Sequence, residues 1–147
     1  MKEFNFRAEQ WLPRQREEVF QFFSEARNLE AITPLWLKFE VLTPAPIVMR
    51  TGALIDYRLR IRGVPMRWQT EIVEWSPPRR FVDIQTRGPY RLWHHTHIFE
   101  ERDGGTHCLD EVRYWPRGGR LINWLFVRRD MERIFAFRRE RMKELMA

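Results

Sequence analysis

The C-terminal segment Arg120–Met146 contains neither glycine nor proline and repeats its apolar residues with the period of an α-helix. At 100° per residue, one face of this helix collects Leu121, Trp124, Met131, Ile134, Phe135, Met142 and Leu145. Residues 54–115 show instead the two-residue alternation of β-strands. A long amphipathic helix that follows a run of strands buries its apolar face most economically against their sheet. The pattern therefore predicts an α+β chain with an antiparallel sheet around one helix.

The strand patterns also predict how neighbouring strands pair. In LIDYRLRIR (54–62), apolar residues alternate with charged ones, and Gly63-Val64 is placed as a two-residue turn into the next strand. This turn sets Leu59 opposite Trp68 and Tyr57 opposite Thr70. The sequence Asp103-Gly104-Gly105-Thr106 is a second hairpin, with Gly104-Gly105 as its turn.

The N-terminal third adds one strand and two helices. Residues 2–11 alternate as a strand, Pro13 opens a helix over residues 13–26, and Asn28 caps a short helix, NLEAI. Residues 36–42 then resemble a strand. The predicted order is one strand, two helices, six strands and one long helix, within a single domain spanning 1–147.

Composition narrows the class of protein. Aromatic residues make up 14% of the chain, which is enough to build a core, line a large pocket, or both. One cysteine, Cys108, excludes an internal disulfide framework. No signal-peptide-like stretch or membrane-span-length apolar run is present, so we expect a cytoplasmic protein without stable membrane insertion. The net charge is +6, but arginines are spread along the chain with glutamates between them, which argues against a nucleic-acid partner.

Several phrases of the sequence resemble the SRPBCC superfamily, which includes START lipid-transfer domains, birch-pollen-type allergens and polyketide cyclases. They are EQWLPRQREEVFQFFSEARNLEAITP, GALIDYRLRIRGVPMRWQTEIVEWSPPRRFVDIQTRGPYRLWHHTHIFE and GGTHCLDEVRYWP. The resemblance covers essentially the whole chain, and is strongest for a bacterial ligand-binding branch. It implies a helix-grip fold: a curved antiparallel sheet of about seven strands around a long C-terminal helix, with two short helices after the first strand. It also implies an apolar or amphipathic ligand between sheet and helix, but carries over no catalytic residues.

Strand register places titratable side chains together, independently of the resemblance. With the turns above, Phe99 lies near Asp110, His97 near Val112 and His95 near Tyr114. If Gln85 lies opposite Trp93, Asp83 lies opposite His95. The face that carries Asp83, His95, His97 and Asp110 is expected to be the concave one, although both faces are mixed in character. A carboxylate beside a histidine orients the ring, as in a general base, which makes His95 and Asp83 the catalytic candidates. A structural polar pair is the alternative.

Two arginines fall on the apolar face of the C-terminal helix. Arg128 or Arg138 is expected to reach Asp83, Asp110 or an acid group of the ligand, the alternative being an arginine that extends to solvent. The full set of expected ligand-binding residues is Tyr57, Trp68, Phe81, Asp83, Trp93, His95, His97, Asp110, Tyr114, Trp124, Arg128, Met131, Phe135 and Arg138. No metal or other cofactor is expected, although His95-x-His97 with a third ligand such as Asp83 or Asp110 is the arrangement that would bind one. Cys108 is expected to serve packing.

These residues favour a binding module for a hydrophobic or aromatic small molecule, lipid-like or polyketide-like. The alternative is an aromatase/cyclase-type enzyme, in which a His–Asp pair assists enolisation and dehydration. A third class is a basic binder of membrane surfaces or nucleic acid. The sequence leaves a homodimer open and does not name the ligand.

Overall fold

The computed structural model describes residues 2–147, and its elements follow the expected order. Strand β1 (Phe4–Leu12) leads into helix α1 (Arg16–Phe23), helix α2 (Asn28–Ala31) and a 3-10 turn (Leu35–Leu37). Six strands follow, which are β2 (Glu40–Val41), β3 (Leu54–Ile61), β4 (Val64–Ser76), β5 (Arg80–Arg87), β6 (Tyr90–Arg102) and β7 (Gly105–Pro116). The chain ends in α3 (Gly119–Ile122), a π-helical turn (Asn123–Val127) and α4 (Arg128–Leu145), which run on without a break.

All seven strands form one antiparallel sheet in the order β1-β7-β6-β5-β4-β3-β2. The two predicted turns are each wrong by one position. The turns are Arg62-Gly63 and Asp103-Gly104, in which all four residues have positive φ. A two-residue turn with positive φ at both positions suits glycine second, whereas Gly63-Val64 would force a β-branched residue into that conformation.

The turn positions shift both hairpin registers by two residues. Tyr57 lies opposite Trp68, and His97 lies opposite Asp110. Because side chains alternate with a period of two, a two-residue shift leaves every side chain on its predicted face. The pairing of Asp83 with His95 is confirmed.

The 3-10 turn replaces the first part of the strand expected over residues 36–42. Pro34 precedes the turn, and Lys38 ends it in the left-handed conformation with φ of 46°. Glu40 and Val41 pair with β3, and the Leu42 N–H donates to the carbonyl oxygen of Asp56. Asn28 does not cap α2 either, since its side-chain amide donates to the carbonyl oxygen of Phe22.

The buried apolar residues form three separate clusters. One joins α1 to the far end of α4 through residues such as Phe20, Phe99 and Met142. A second packs Met131 and Phe135 of α4 on β1 and β7, and a third lies on β2 and β3 around Tyr57. The concave face of the sheet and α4 therefore meet at the ends and along one side, as expected for a helix-grip fold, and leave a space between the clusters.

The π-helical turn corrects the predicted apolar face of the C-terminal helix. A π turn holds about one residue more than an α turn, which rotates the preceding residues by roughly 100°. Met131, Phe135 and Met142 face inward as predicted. Leu121 and Trp124 are instead rotated outward and are 61% and 78% exposed, and Leu145 is also exposed.

Candidate functional site

A cavity of about 890 Å³ lies between the concave face of the sheet, helix α4 and the loops that follow α1. Most of its wall is apolar or aromatic, and two places in it hold acidic side chains together with arginine or histidine side chains. One is the buried centre of the sheet, where Asp83, His95, His97 and Arg138 meet. The other is the mouth, between the Arg62-Gly63 turn and the start of α4. A large apolar cavity with few polar groups is typical of a small-molecule site.

Three neighbouring strands build the polar group at the centre of the sheet. Asp83 of β5 lies opposite His95 of β6, and His97 of β6 lies opposite Asp110 of β7. Each histidine reaches diagonally to the carboxylate that faces the other histidine. We call these four side chains the His–Asp cluster.

The hydrogen bonds of the His–Asp cluster are short. His95 Nε2 lies 2.8 Å from Asp110 Oδ1, and His97 Nε2 lies 2.7 Å from Asp83 Oδ2. Because an ionised carboxylate only accepts hydrogen bonds, the Nε2 atoms of both His95 and His97 act as donors. His97 Nδ1 lies 3.3 Å from Asp110 Oδ1 but has no hydrogen-bond partner among the described residues. Both histidine side chains are 5% exposed.

The pKa values of the two histidines shift in opposite directions. Burial lowers the pKa of His95, and the charge of His97 lowers it further, against the bond to Asp110. Burial acts in the same direction on His97, but its contacts with Asp110 and Asp83 outweigh it and raise the pKa of His97. Two stacked imidazoles repel each other when both are positively charged, so these shifts favour the charge on His97 and the neutral form of His95.

The two carboxyl groups remain ionised. Burial would raise the pKa of each, but the bond from His97 lowers the pKa of Asp83, and the Arg138 guanidinium holds the pKa of Asp110 well below its usual range. Arg138 Nη2 lies 3.8 Å from Asp110 Oδ1. With His97 protonated, the two carboxylates and the two cations balance.

Aromatic rings fix the imidazoles in place. The rings of Phe81 and His97 stack with centroids 3.9 Å apart, and those of His97 and His95 with centroids 3.7 Å apart. Trp93 and Phe135 meet His95 edge-on. The imidazoles are therefore confined by packing as well as by hydrogen bonds.

Asp83, His95 and His97 also offer metal-ligand atoms within 4.8 Å of one another. A shared ion lies close to the plane of each imidazole that binds it. Here the two ring planes differ by only 24° and are stacked, and Asp83 and His97 already bond each other. As placed, these donors fit a hydrogen-bonded cluster, and binding a metal would require the rings to turn.

The cavity brings together most of the residues expected from the sequence. Those that line it are Tyr57, Trp68, Phe81, Asp83, Trp93, His95, His97, Met131, Phe135 and Arg138. Asp110, the fourth member of the His–Asp cluster, does not line the cavity itself but bonds His95, which does. The expected concave face is therefore the face that lines the cavity, and Arg138 is the arginine that reaches Asp110.

Three of the expected residues lie elsewhere. Tyr114 is buried between sheet and helix, where its hydroxyl donates to Asn123 Oδ1 at 2.8 Å. Arg128 turns to the sheet edge, donates to the carbonyl oxygen of Asn5 and covers the ring of Phe6. Trp124 is rotated outward by the π-helical turn. Cys108 packs against a core cluster, and burial raises the pKa of its thiol to about 12, which makes it a poor nucleophile.

Other wall residues were not expected from the sequence. Phe23, Leu29, Leu37 and Phe39 come from α1, α2 and the following loop, which no periodicity connects to the sheet. Ile134, on the predicted apolar face of the C-terminal helix, also lines the cavity. At the mouth, Arg62 pairs with Asp130 of α4 at 2.9 Å and lies over the ring of Phe126.

A family model for "Polyketide cyclase / dehydrase and lipid transport" matches residues 12–138. The chain belongs to this family. The resemblance to the SRPBCC superfamily is thereby confirmed, and with it the association with lipid and polyketide ligands at the level of the family. No curated protein matches the chain. No helix in residues 2–147 is long and apolar enough to cross a bilayer.

Solved structures of the family's fold are similar over nearly the whole chain. TTHA0849 from Thermus thermophilus is 25% identical, with a TM-score of 0.63, over 98% of this chain and 100% of that one. Ms6760 from Mycobacterium smegmatis is 15% identical, with a TM-score of 0.73, over 96% and 89%. Major latex-like protein 151 from Panax ginseng is 9% identical, with a TM-score of 0.72, over 98% and 97%. The fold is thus shared by bacterial and plant proteins with little sequence in common.

Proposed function

We propose that this protein binds an apolar or aromatic small molecule with one neutral oxygen group, and that Arg138 holds the oxygen. Arg138 supports this proposal most directly. Its guanidinium lines the cavity and enters no hydrogen bond within the described part of the chain, while Asp110 balances its charge. Its unused N–H donors can therefore bond a ligand oxygen.

The charge balance of the site favours a neutral oxygen group on the ligand over a charged one. Asp83 and Asp110 offset His97 and Arg138, so the buried end of the cavity has no net positive charge. A buried anion without a compensating cation is strongly disfavoured. A hydroxyl, phenol or ketone is therefore favoured over the carboxylate of a fatty acid.

Native mass spectrometry of freshly purified protein, followed by extraction, tests whether a molecule is retained. Matched probes then test the selectivity: naphthol against naphthoate, and dodecanol against dodecanoate, followed by the fluorescence of the cavity tryptophans Trp68 and Trp93. We expect the neutral probe of each pair to bind more tightly at pH 7. Tighter binding of the anions, or no binding of any probe with no retained molecule, would contradict the proposal.

Removal of the donor should weaken the neutral probes. The Arg138→Met variant keeps an unbranched apolar stem and loses a charged hydrogen bond of about 1.5–3 kcal/mol, which corresponds to a loss of roughly tenfold or more in naphthol affinity. Arg133→Met is the matched control, because Arg133 lines the cavity near its mouth and lies over Trp36, away from the cluster. Equal effects of the two variants would exclude Arg138 as the specific donor.

The opposite pKa shifts of His95 and His97 support a second candidate, a proton-transfer enzyme of the cyclase/dehydratase type. Environments that drive two adjacent pKa values apart are how proteins obtain a base and an acid at one pH. Neutral His95, whose Nε2–H donates to Asp110, would remove a proton from the carbon beside a ketone. The free N–H donors of Arg138 would hydrogen-bond the ketone oxygen, and the positive charge on His97 would stabilise the enolate that forms.

Deuterium exchange tests this candidate without knowledge of the substrate. The protein should exchange the α-protons of acetylnaphthalene in D2O faster than buffer does, and His95→Ala should reduce the protein-dependent rate about a hundredfold or more while the ketone still binds. His94→Ala is the control, because His94 lies on the opposite face of β6. Exchange that is no faster than in buffer would contradict the proton-transfer candidate, and ligand binding would then be the remaining proposal.

A further inference from the structure

The segment that enters the C-terminal helix exposes apolar side chains at the mouth of the cavity. We call residues 117–129 the mouth segment. Its Ile122, Phe126 and Val127 line the cavity, while Leu121 and Trp124 are more than half exposed. Leu125 and Phe126 are also exposed, at 41% and 38%. A contiguous exposed patch of this kind marks an interaction surface.

The π-helical turn keeps this patch exposed. A regular α-helix would direct Leu121 and Trp124 to the same face as Met131, toward the sheet. Tyr114 donates to Asn123 inside the π-helical turn and anchors it from the sheet. The exposed tryptophan is thus held on a backbone that is fixed to the core.

The charged residues of the mouth segment are all arginines. No aspartate or glutamate occurs from residue 112 to residue 129. Arg117, Arg120 and Arg129 form no ion pair with any part of the described chain, residues 2–147, whereas Arg128 pairs with Glu132. Unpaired arginines beside an exposed tryptophan complement a surface that is negatively charged outside and apolar beneath.

We propose that the mouth segment docks on the surface of a bilayer that contains anionic lipid, with Trp124 and Leu121 entering the headgroup region. The cavity mouth would then open at the bilayer, and an apolar molecule could pass between bilayer and cavity without crossing water. Docking depends only on the mouth segment, so it stands or falls separately from the identity of the cavity ligand.

Other occupants fit the patch less well. A symmetric contact with a second copy would bring the unpaired arginines of both copies together, with no carboxylate in the segment to offset them. A nucleic acid would satisfy the arginines but leave the apolar side chains without a partner.

Flotation with lipid vesicles tests the proposal on the full chain. The protein should float with vesicles of equal parts phosphatidylglycerol and phosphatidylcholine, bind pure phosphatidylcholine weakly, and lose binding as salt is added. Arg120→Glu/Arg129→Glu should lower binding at least about tenfold. Leu121→Ala/Trp124→Ala should also lower it, with the thermal midpoint preserved because both side chains are exposed.

Arg50→Glu/Arg79→Glu is the matched charge control, because both arginines are exposed, unpaired among residues 2–147 and outside the mouth segment. It should bind vesicles like the unmodified protein. An equal loss in this control, or no binding to anionic vesicles, would overturn the proposal. So would tight binding to duplex DNA that survives Leu121→Ala/Trp124→Ala, or a dimer in light scattering that this variant dissociates.

Discussion

Asp110→Asn removes the carboxylate that connects the His–Asp cluster to α4. Asp110 Oδ1 accepts from His95 at 2.8 Å, lies 3.3 Å from His97 Nδ1 and 3.8 Å from Arg138 Nη2. An amide has almost the same size, so the substitution changes charge with little change in volume. It leaves His97 and Arg138 with Asp83 as their one remaining carboxylate in the cluster.

The structure sets the size of the effect. Loss of one partner from a buried ion pair costs about 3–5 kcal/mol. Here the cost is smaller, because Asp110 is 19% exposed, the amide oxygen can still accept from His95, and His97 can release its proton. We expect a loss of about 2–3 kcal/mol in the free energy of unfolding, or roughly 4–12 °C in thermal midpoint.

Thermal and urea unfolding at pH 7, followed by circular dichroism, measure this loss. Glu111→Gln is the matched control, because Glu111 is the next residue on β7, exposed on the other face, and should change stability by less than about 0.5 kcal/mol. Nuclear magnetic resonance should show a lower pKa of His97 in Asp110→Asn. Wild-type stability together with an unchanged pKa of His97 would refute the electrostatic account of the cluster.

Three further predictions concern the pH dependence of stability, the mouth of the cavity and the packing of β1 against β7. Stability should be greatest near pH 6.5. The raised pKa of His97 stabilises the fold below pH 6.5, and this stability is lost as the pH rises from 6.5 through the raised pKa, so His97→Gln should lack the decline above pH 6.5 in urea unfolding. The lowered pKa of His95 makes stability fall as the pH drops below 6.5, and the lowered pKa values of Asp83 and Asp110 add a further loss below pH 3.8. Asp130→Asn breaks the Arg62–Asp130 ion pair at the mouth of the cavity. Because an exposed ion pair contributes about 1 kcal/mol or less, we expect naphthol release to become faster by up to about fivefold in stopped-flow fluorescence, and unchanged release would show that this pair does not slow the exit of the ligand. Gly105→Ala should cost about 1–3 kcal/mol in urea unfolding, because a Cβ would overlap the carbonyl oxygen of Leu12, and wild-type stability would contradict the close approach of β1 and β7.

The outward rotation of Trp124 shows where periodicity stops being informative. A uniform 100° per residue assigns Trp124 and Met131 to one face, and Met131 is indeed buried. One wider turn between them breaks the phase, and no residue pattern announces it. The turn is stabilised by the bond from Tyr114 to Asn123, a contact between elements that sequence spacing does not relate.

The local pattern of the chain determined the order of elements, the face on which the strand residues of the His–Asp cluster lie, and the meeting of Asp83 with His95. Alternation and helical period act over a few residues, and a two-residue register error leaves a side chain on its face. Tertiary packing decided which histidine bonds which carboxylate, which arginine joins them, and that the loops after α1 close the cavity. These depend on turn conformation and on distances between elements far apart in the chain, which local propensity does not encode.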